Sequence, residues 1–122
     1  MDYKKVIDEL TQSYSLQITW YRELKILVQK ILGKITLSRG DFSGIVGLLE
    51  KKSIIMDHII RERDKSKINI DFWQNNKNHY CTDEYSGKLD VILKETEIEI
   101  KEFLKIEEQL KKCIEFEMRK ER

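Results

Sequence analysis

Two histidines, His58 and His79, and two cysteines, Cys81 and Cys113, are the side chains of this sequence best suited to hold a metal or act as nucleophiles. A zinc site needs three or four such ligands converging on one point. Only His79, Cys81, Asp83 and Glu84 fall close together, on a strip of turn-forming residues with no recognised ligand spacing. No metal or other cofactor is expected. Nucleophilic and phosphoryl-transfer chemistry fare no better, because the chain contains no Gly-x-Ser-x-Gly elbow and no glycine-rich phosphate loop. Its 22 acidic residues are matched by 23 basic ones, which reads as a solvated ionic surface and not as a general acid/base pair. The residues point away from an enzyme. The distant Cys81 and Cys113 are expected to be reduced thiols of a cytoplasmic protein.

The aromatic residues offer a second kind of chemistry, recognition. Tyr14, Trp20 and Tyr21 cluster in one stretch, and Phe72, Trp73 and Tyr80 in another. Their helical spacing suits packing inside a bundle, and the same residues could instead anchor a partner in a groove. A membrane-surface role fails because no segment sets a strongly basic face against an aromatic one. A net charge of +1 gives no footprint for nucleic acid. The longest uncharged stretch, Thr11 to Tyr21, is half polar, so neither a signal peptide nor a membrane span is expected.

The elements that must position these residues are helices. The sequence has no Pro and no Ala, and its apolar content is dominated by Ile and Leu. That composition is too apolar for disorder and favours long helices over turn-rich sheets. From Tyr3, apolar residues recur in steps of four and three at Ile7, Leu10, Tyr14, Tyr21, Leu24, Val28, Ile31 and Ile35, with Gln17 the one polar member. This is a heptad seam, predicting helix 1 over about residues 3–36. Leu37-Ser38-Arg39-Gly40-Asp41 reads as a tight turn, with Gly40 suited to end one helix and Ser38 or Asp41 to cap the next.

Helix 2 is expected over about residues 41–74, with Phe42, Val46, Leu49, Ser53, Met56, Ile60 and Arg63 on its seam and Ile45, Leu48, Ile55 and Ile59 beside it. Gly44 and Gly47 suggest a close helix approach beside the turn. Residues 75–83 read as a loop, and helix 3 is expected over about residues 84–120. Its stripe runs through Tyr85, Leu89, Leu93, Thr96, Ile100, Phe103, Leu110 and Ile114, interrupted by Glu107. Acid-first pairs such as Glu97 and Lys101 support it locally. The whole reads as one all-α domain, residues 1–122, an elongated antiparallel hairpin plus a third long helix in a coiled-coil-like three-helix bundle. The interruptions at Thr96 and Glu107 predict that helix 3 docks loosely enough to exchange with a partner's helix.

The stretch Leu37-Ser38-Arg39-Gly40-Asp41-Phe42, followed by Ile45, Leu48-Leu49, Lys52, Ile55 and Ile59, resembles flagellar export chaperones of the FlgN type. The similarity covers most of residues 15 to 65. It implies a cytoplasmic, non-enzymatic helical protein that binds a helical segment of hook-associated flagellar proteins, prevents their premature assembly and presents them to the type III export gate. In such chaperones the C-terminal helix holds the substrate. By position, the resemblance assigns partner binding to Ile100, Phe103, Leu104, Leu110, Ile114 and Met118. The rival expectation is a structural coiled-coil protein whose seams drive homo-oligomerisation and which has no secretion substrate.

Overall fold

A computed structural model describes residues 2–38, 42–80 and 84–120, and the side chains of all these except 77–80, 84–86 and 120. They form three long helices and one short 3-10 turn, with no strand among the described residues. Helix α1 spans Tyr3–Ser38, and its 36 residues reach about 54 Å at 1.5 Å per residue. Asp2 caps it: the Oδ1 atom accepts the Lys4 N–H at 3.1 Å, satisfying an amide that the helix cannot. At the other end the Ser38 hydroxyl donates to the Ile35 carbonyl at 3.3 Å, so it serves the helix it ends. Gly40 and Asp41, the other residues of the expected turn, lie outside the described residues. A 3-10 turn, Ser43–Ile45, then leads into α2, Val46–Tyr80, and α3 spans Glu84–Lys120.

The three helices run up, down and up. Ser13 meets Ser66 and Glu9 meets Asn69, so partners on α2 fall in sequence as those on α1 rise, which makes the pair antiparallel. Arg22 meets Glu99 and Lys25 meets Glu102, both at a separation of 77 residues, so α3 runs parallel to α1. Helix α1 is the central element. Both α2 and α3 pack along its length, while their own backbones stay further apart and meet mainly through side chains such as Lys52 and Glu107.

Three apolar clusters stack along the bundle. At one end Val6, Ile7 and Leu10 pack with Trp73 and Leu89, and Tyr3 stacks on Trp73 at 6.4 Å. In the middle Tyr21, Leu24, Ile59 and Phe103 meet, with Phe103 edge-on to Tyr21 at 5.8 Å. At the far end Leu27, Val28, Ile31 and Ile35 pack with Ile45 and Leu110. Between the first two lies a polar layer: the Ser13 and Ser66 hydroxyls are 2.7 Å apart, and the Gln17 amide donates to Ser13 Oγ at 3.2 Å. Every buried polar group here has a partner, which burial requires.

Several expectations are corrected by this arrangement. The buried row on this side is Ile45 of the 3-10 turn with Ile59, Ser66 and Trp73 of α2; the expected seam members Val46 and Ile60 are more than half exposed. Helix α2 also continues through residues 75–80, where a loop was expected, because Asn76 Nδ2 caps back onto the Phe72 carbonyl at 2.8 Å and nothing there obliges the helix to stop. Helix α3 packs along α1 despite its polar positions: Thr96 donates its hydroxyl to the Ile92 carbonyl at 2.7 Å, and Glu107 forms an ion pair with Lys52 of α2 at 2.8 Å. Finally, a Cβ added at Gly44 or Gly47 meets nothing within 4 Å, so neither serves a close helix approach.

Gly33 lies within α1 with equally open surroundings. Gly33→Ala is therefore expected to stabilise the fold by about 0.5–1 kcal/mol, since alanine loses less backbone entropy on entering a helix. A thermal melt that moved downwards would show that the helix is not regular at this point.

Candidate functional site

The wider backbone spacing between α2 and α3 leaves an open cleft above α1. Helix α2 contributes Leu49 and Lys52, partly buried, and Arg63, exposed, to its wall. Helix α3 contributes a second row beside its core row. Leu89, Thr96, Phe103 and Leu110 face α1 and are buried, whereas Leu93, Ile100, Leu104 and Ile114 lie about one residue further round the helix. Two hollows along this cleft share Leu104. The one nearer the α1–α2 turn, about 510 Å³, is lined by Leu49, Lys52, Leu104, Glu107, Leu110 and Ile114. The other, about 420 Å³, is lined by Tyr14, Gln17, Arg63, Leu93, Thr96, Glu97, Ile100, Lys101 and Leu104.

The six residues assigned to partner binding by the resemblance are divided by the fold. Ile100, Leu104, Leu110 and Ile114 line the cleft. Phe103 is 4% exposed and Leu110 3%, so both are committed to holding α3 on α1. Ile100 and Ile114 are partly buried against the same clusters. Leu104 and Met118 alone are more than half exposed. A partner can therefore reach the row through Leu104 without dislodging α3, but cannot reach Phe103.

The aromatic residues divide similarly. Tyr21 and Trp73 are buried in clusters, Trp20 packs beside Ile59 and lies 5.6 Å from the His58 ring, and Phe72 sits against the first cluster. Tyr14 lines the second hollow and its neighbour on the α1–α2 side. Burial pushes the Tyr14 phenol pKa up, against the opposing pull of the Arg63 charge, so the hydroxyl keeps its proton. The Tyr80 and His79 side chains and all of Cys81 and Asp83 lie outside what is described, and with them the weak metal-like strip. Among the described residues no group of three metal-ligating side chains converges.

No protein-family model, curated protein or solved structure matches this chain. The site must be read from its own geometry. On the opposite side of α3 a larger hollow, about 600 Å³, runs between α1 and α3 and is lined by Arg22, Lys25, Ile26, Glu102 and Lys105. Arg22 and Lys25 hold Glu99 there at 3.1 and 2.6 Å, and Lys25 also holds Glu102. The α2/α3 cleft differs in having an apolar floor toward the α1–α2 turn and a polar one in its middle. Sequence reasoning found its α3 wall through the resemblance. Of its α2 wall, Leu49 and Arg63 stand on the seam expected to face the core. Among the described residues no helix is long and apolar enough to cross a membrane.

Proposed function

We propose that this chain is an export chaperone of the FlgN type, which holds a helical segment of a hook-associated flagellar protein in the α2/α3 cleft and keeps it from assembling prematurely. One observation carries the reading: Leu49 and Lys52 of α2 share one hollow with Leu104, Leu110 and Ile114 of α3, and Arg63 of α2 shares the next with Leu93, Ile100 and Leu104, so a row of apolar α3 side chains stays reachable between the two helices. An amphipathic helix laid there would convert three helices into four and cover that row, the usual mode of helix-in-groove recognition. The long uninterrupted helices supply a rigid groove, so little ordering cost falls on the chaperone.

The direct test is co-purification of the full chain with hook-associated proteins, followed by light scattering of the complex. A small complex of defined stoichiometry is expected, and Leu104→Asp is expected to weaken it at least about tenfold by placing an unpaired charge in the apolar groove. A chain that ignores these proteins and assembles stably with itself would overturn the proposal in favour of a structural coiled coil.

A further inference from the structure

The middle of the cleft is chemically unlike its end. Toward the α1–α2 turn the floor is Leu49, Leu110 and Ile114, Lys52 pairs with Glu107 at 2.8 Å, and Glu108, Lys111 and Glu115 complete a mixed, net acidic rim. In the middle the floor is polar. Gln17 is 1% exposed and Thr96 3%, and Gln17 is tied back to Ser13 and Ser66. A uniformly apolar helix laid here would also cover the exposed Arg63 with nothing in return, at the cost that a buried unpaired charge carries.

The charges around the patch leave one cation over. Glu97 and Lys101 pair with each other at 3.0 Å. Arg63, on the facing helix, has no carboxylate partner among the described residues; Asp64 lines the neighbouring hollow without pairing to it. Arg63 lies with Tyr14 on the wall shared by both hollows. A guanidinium presents its donors as a planar fork that matches a carboxylate. On either side of this point Leu93 and Leu104 supply apolar contacts.

We propose, resting on the cleft reading above, that the helix received here is one whose apolar stripe is broken at its centre by a single Asp or Glu, and that this carboxylate pairs with Arg63 beside Tyr14. The apolar residues of such a helix supply affinity. The central acid sets its register in the cleft and excludes amphipathic helices with a basic or wholly apolar stripe, as a lone polar residue does in a coiled-coil seam.

Selection from a displayed library of amphipathic helical peptides, on the full wild-type chain and on Arg63→Gln and Arg63→Glu chains, tests this. Arg63 is exposed, so both variants are expected to keep the wild-type melt and helical spectrum. The wild-type chain should enrich helices with Asp or Glu at mid-stripe, and Arg63→Glu should reverse the preference to Lys or Arg. A synthetic copy of the best acidic peptide should bind the Arg63→Gln chain about tenfold more weakly than wild type, the scale of one charge-assisted hydrogen-bonded contact. Enrichment of helices with no mid-stripe acid, or equal binding by the Arg63→Glu chain, would overturn this inference and leave the cleft reading standing. No enrichment of any helix would overturn both, and co-purification with hook-associated proteins would then have to occur through another surface.

Discussion

Phe103→Ala is expected to remove about 3–5 kcal/mol of folding stability, the range found when a large buried aromatic side chain leaves a cavity behind. Phe103 is 4% exposed and completes the central cluster with Tyr21 and Leu24 of α1 and Ile59 of α2, so all three helices meet there. Its ring also meets the edge of Tyr21 at 72°, a geometry that contributes beyond area burial. For a domain whose whole stability is about 5–15 kcal/mol this loss is a large fraction. Leu104→Ala, the next residue, is 60% exposed and is expected to change stability by no more than about 0.5 kcal/mol. Urea unfolding of the two variants side by side measures the contrast. Equal, small effects would mean that α3 is not packed on α1 in solution, and the six-residue row could then be a partner surface in full. The expected contrast instead splits it into residues that hold the bundle and residues that face the cleft.

That split also marks how far the sequence could be read. The seam of α1 was legible residue by residue, because its heptads are clean: Ile7, Leu10, Tyr21, Leu24, Val28, Ile31 and Ile35 are all buried, and even Gln17 is buried as part of the polar layer. The all-α fold and the span of α3 followed from the same periodicity. Helix α2 was legible as a helix but not in its orientation. Ile54, Ile55, Ile59 and Ile60 occupy every side of it, so period alone does not say which row faces α1, and exposed Ile54 and Ile60 look no different in sequence from buried Ile59. The candidate cleft depends on that orientation, which is why only its α3 wall could be named beforehand. The 75–80 stretch was misjudged for a different reason: Asn-rich composition favours turns when local preference decides, and here Trp73, 2% exposed beside Val6 and Leu10, fixes the helix on α1 just before it. The polar residues within the α3 stripe were visible in sequence, but whether Thr96 and Glu107 weakened the interface depended on partners one to four residues or a whole helix away.

Glu99→Gln is the second substitution expected to act strongly, through charge instead of volume. Glu99 is 8% exposed on the α3 face that meets α1, held by Arg22 Nε at 3.1 Å and Lys25 Nζ at 2.6 Å. Arg22 reaches in from solvent, but the Lys25 side chain is only 18% exposed and is also held by Glu102. Because α1 and α3 run parallel, these pairs recur at one fixed separation and lock the two helices in register. Burial by itself would raise the Glu99 pKa, but the hydrogen bonds and charges of Lys25 and Arg22 outweigh it and hold the carboxyl below its ordinary value. For Lys25 burial works to lower the pKa, and the hydrogen bonds it donates to Glu102 and Glu99, with their negative charges, overcome it, leaving the ammonium above its ordinary value. The signs then fix the pH window. The Glu99 contribution is fully present above the ordinary glutamate pKa and is lost as pH falls through the lowered value in the fold; the Lys25 contribution is present below the ordinary lysine pKa and is lost as pH rises through the raised one. Glu99→Gln is expected to cost about 1–3 kcal/mol near neutrality, the range for removing a charged hydrogen-bonding partner from a largely buried site. In acid the gap should close, because the parent chain there protonates Glu99 and loses the same interaction. Urea midpoints for both chains across the acid range measure it. A gap that stayed constant with pH would show that the loss comes from packing and not from the ionised carboxylate.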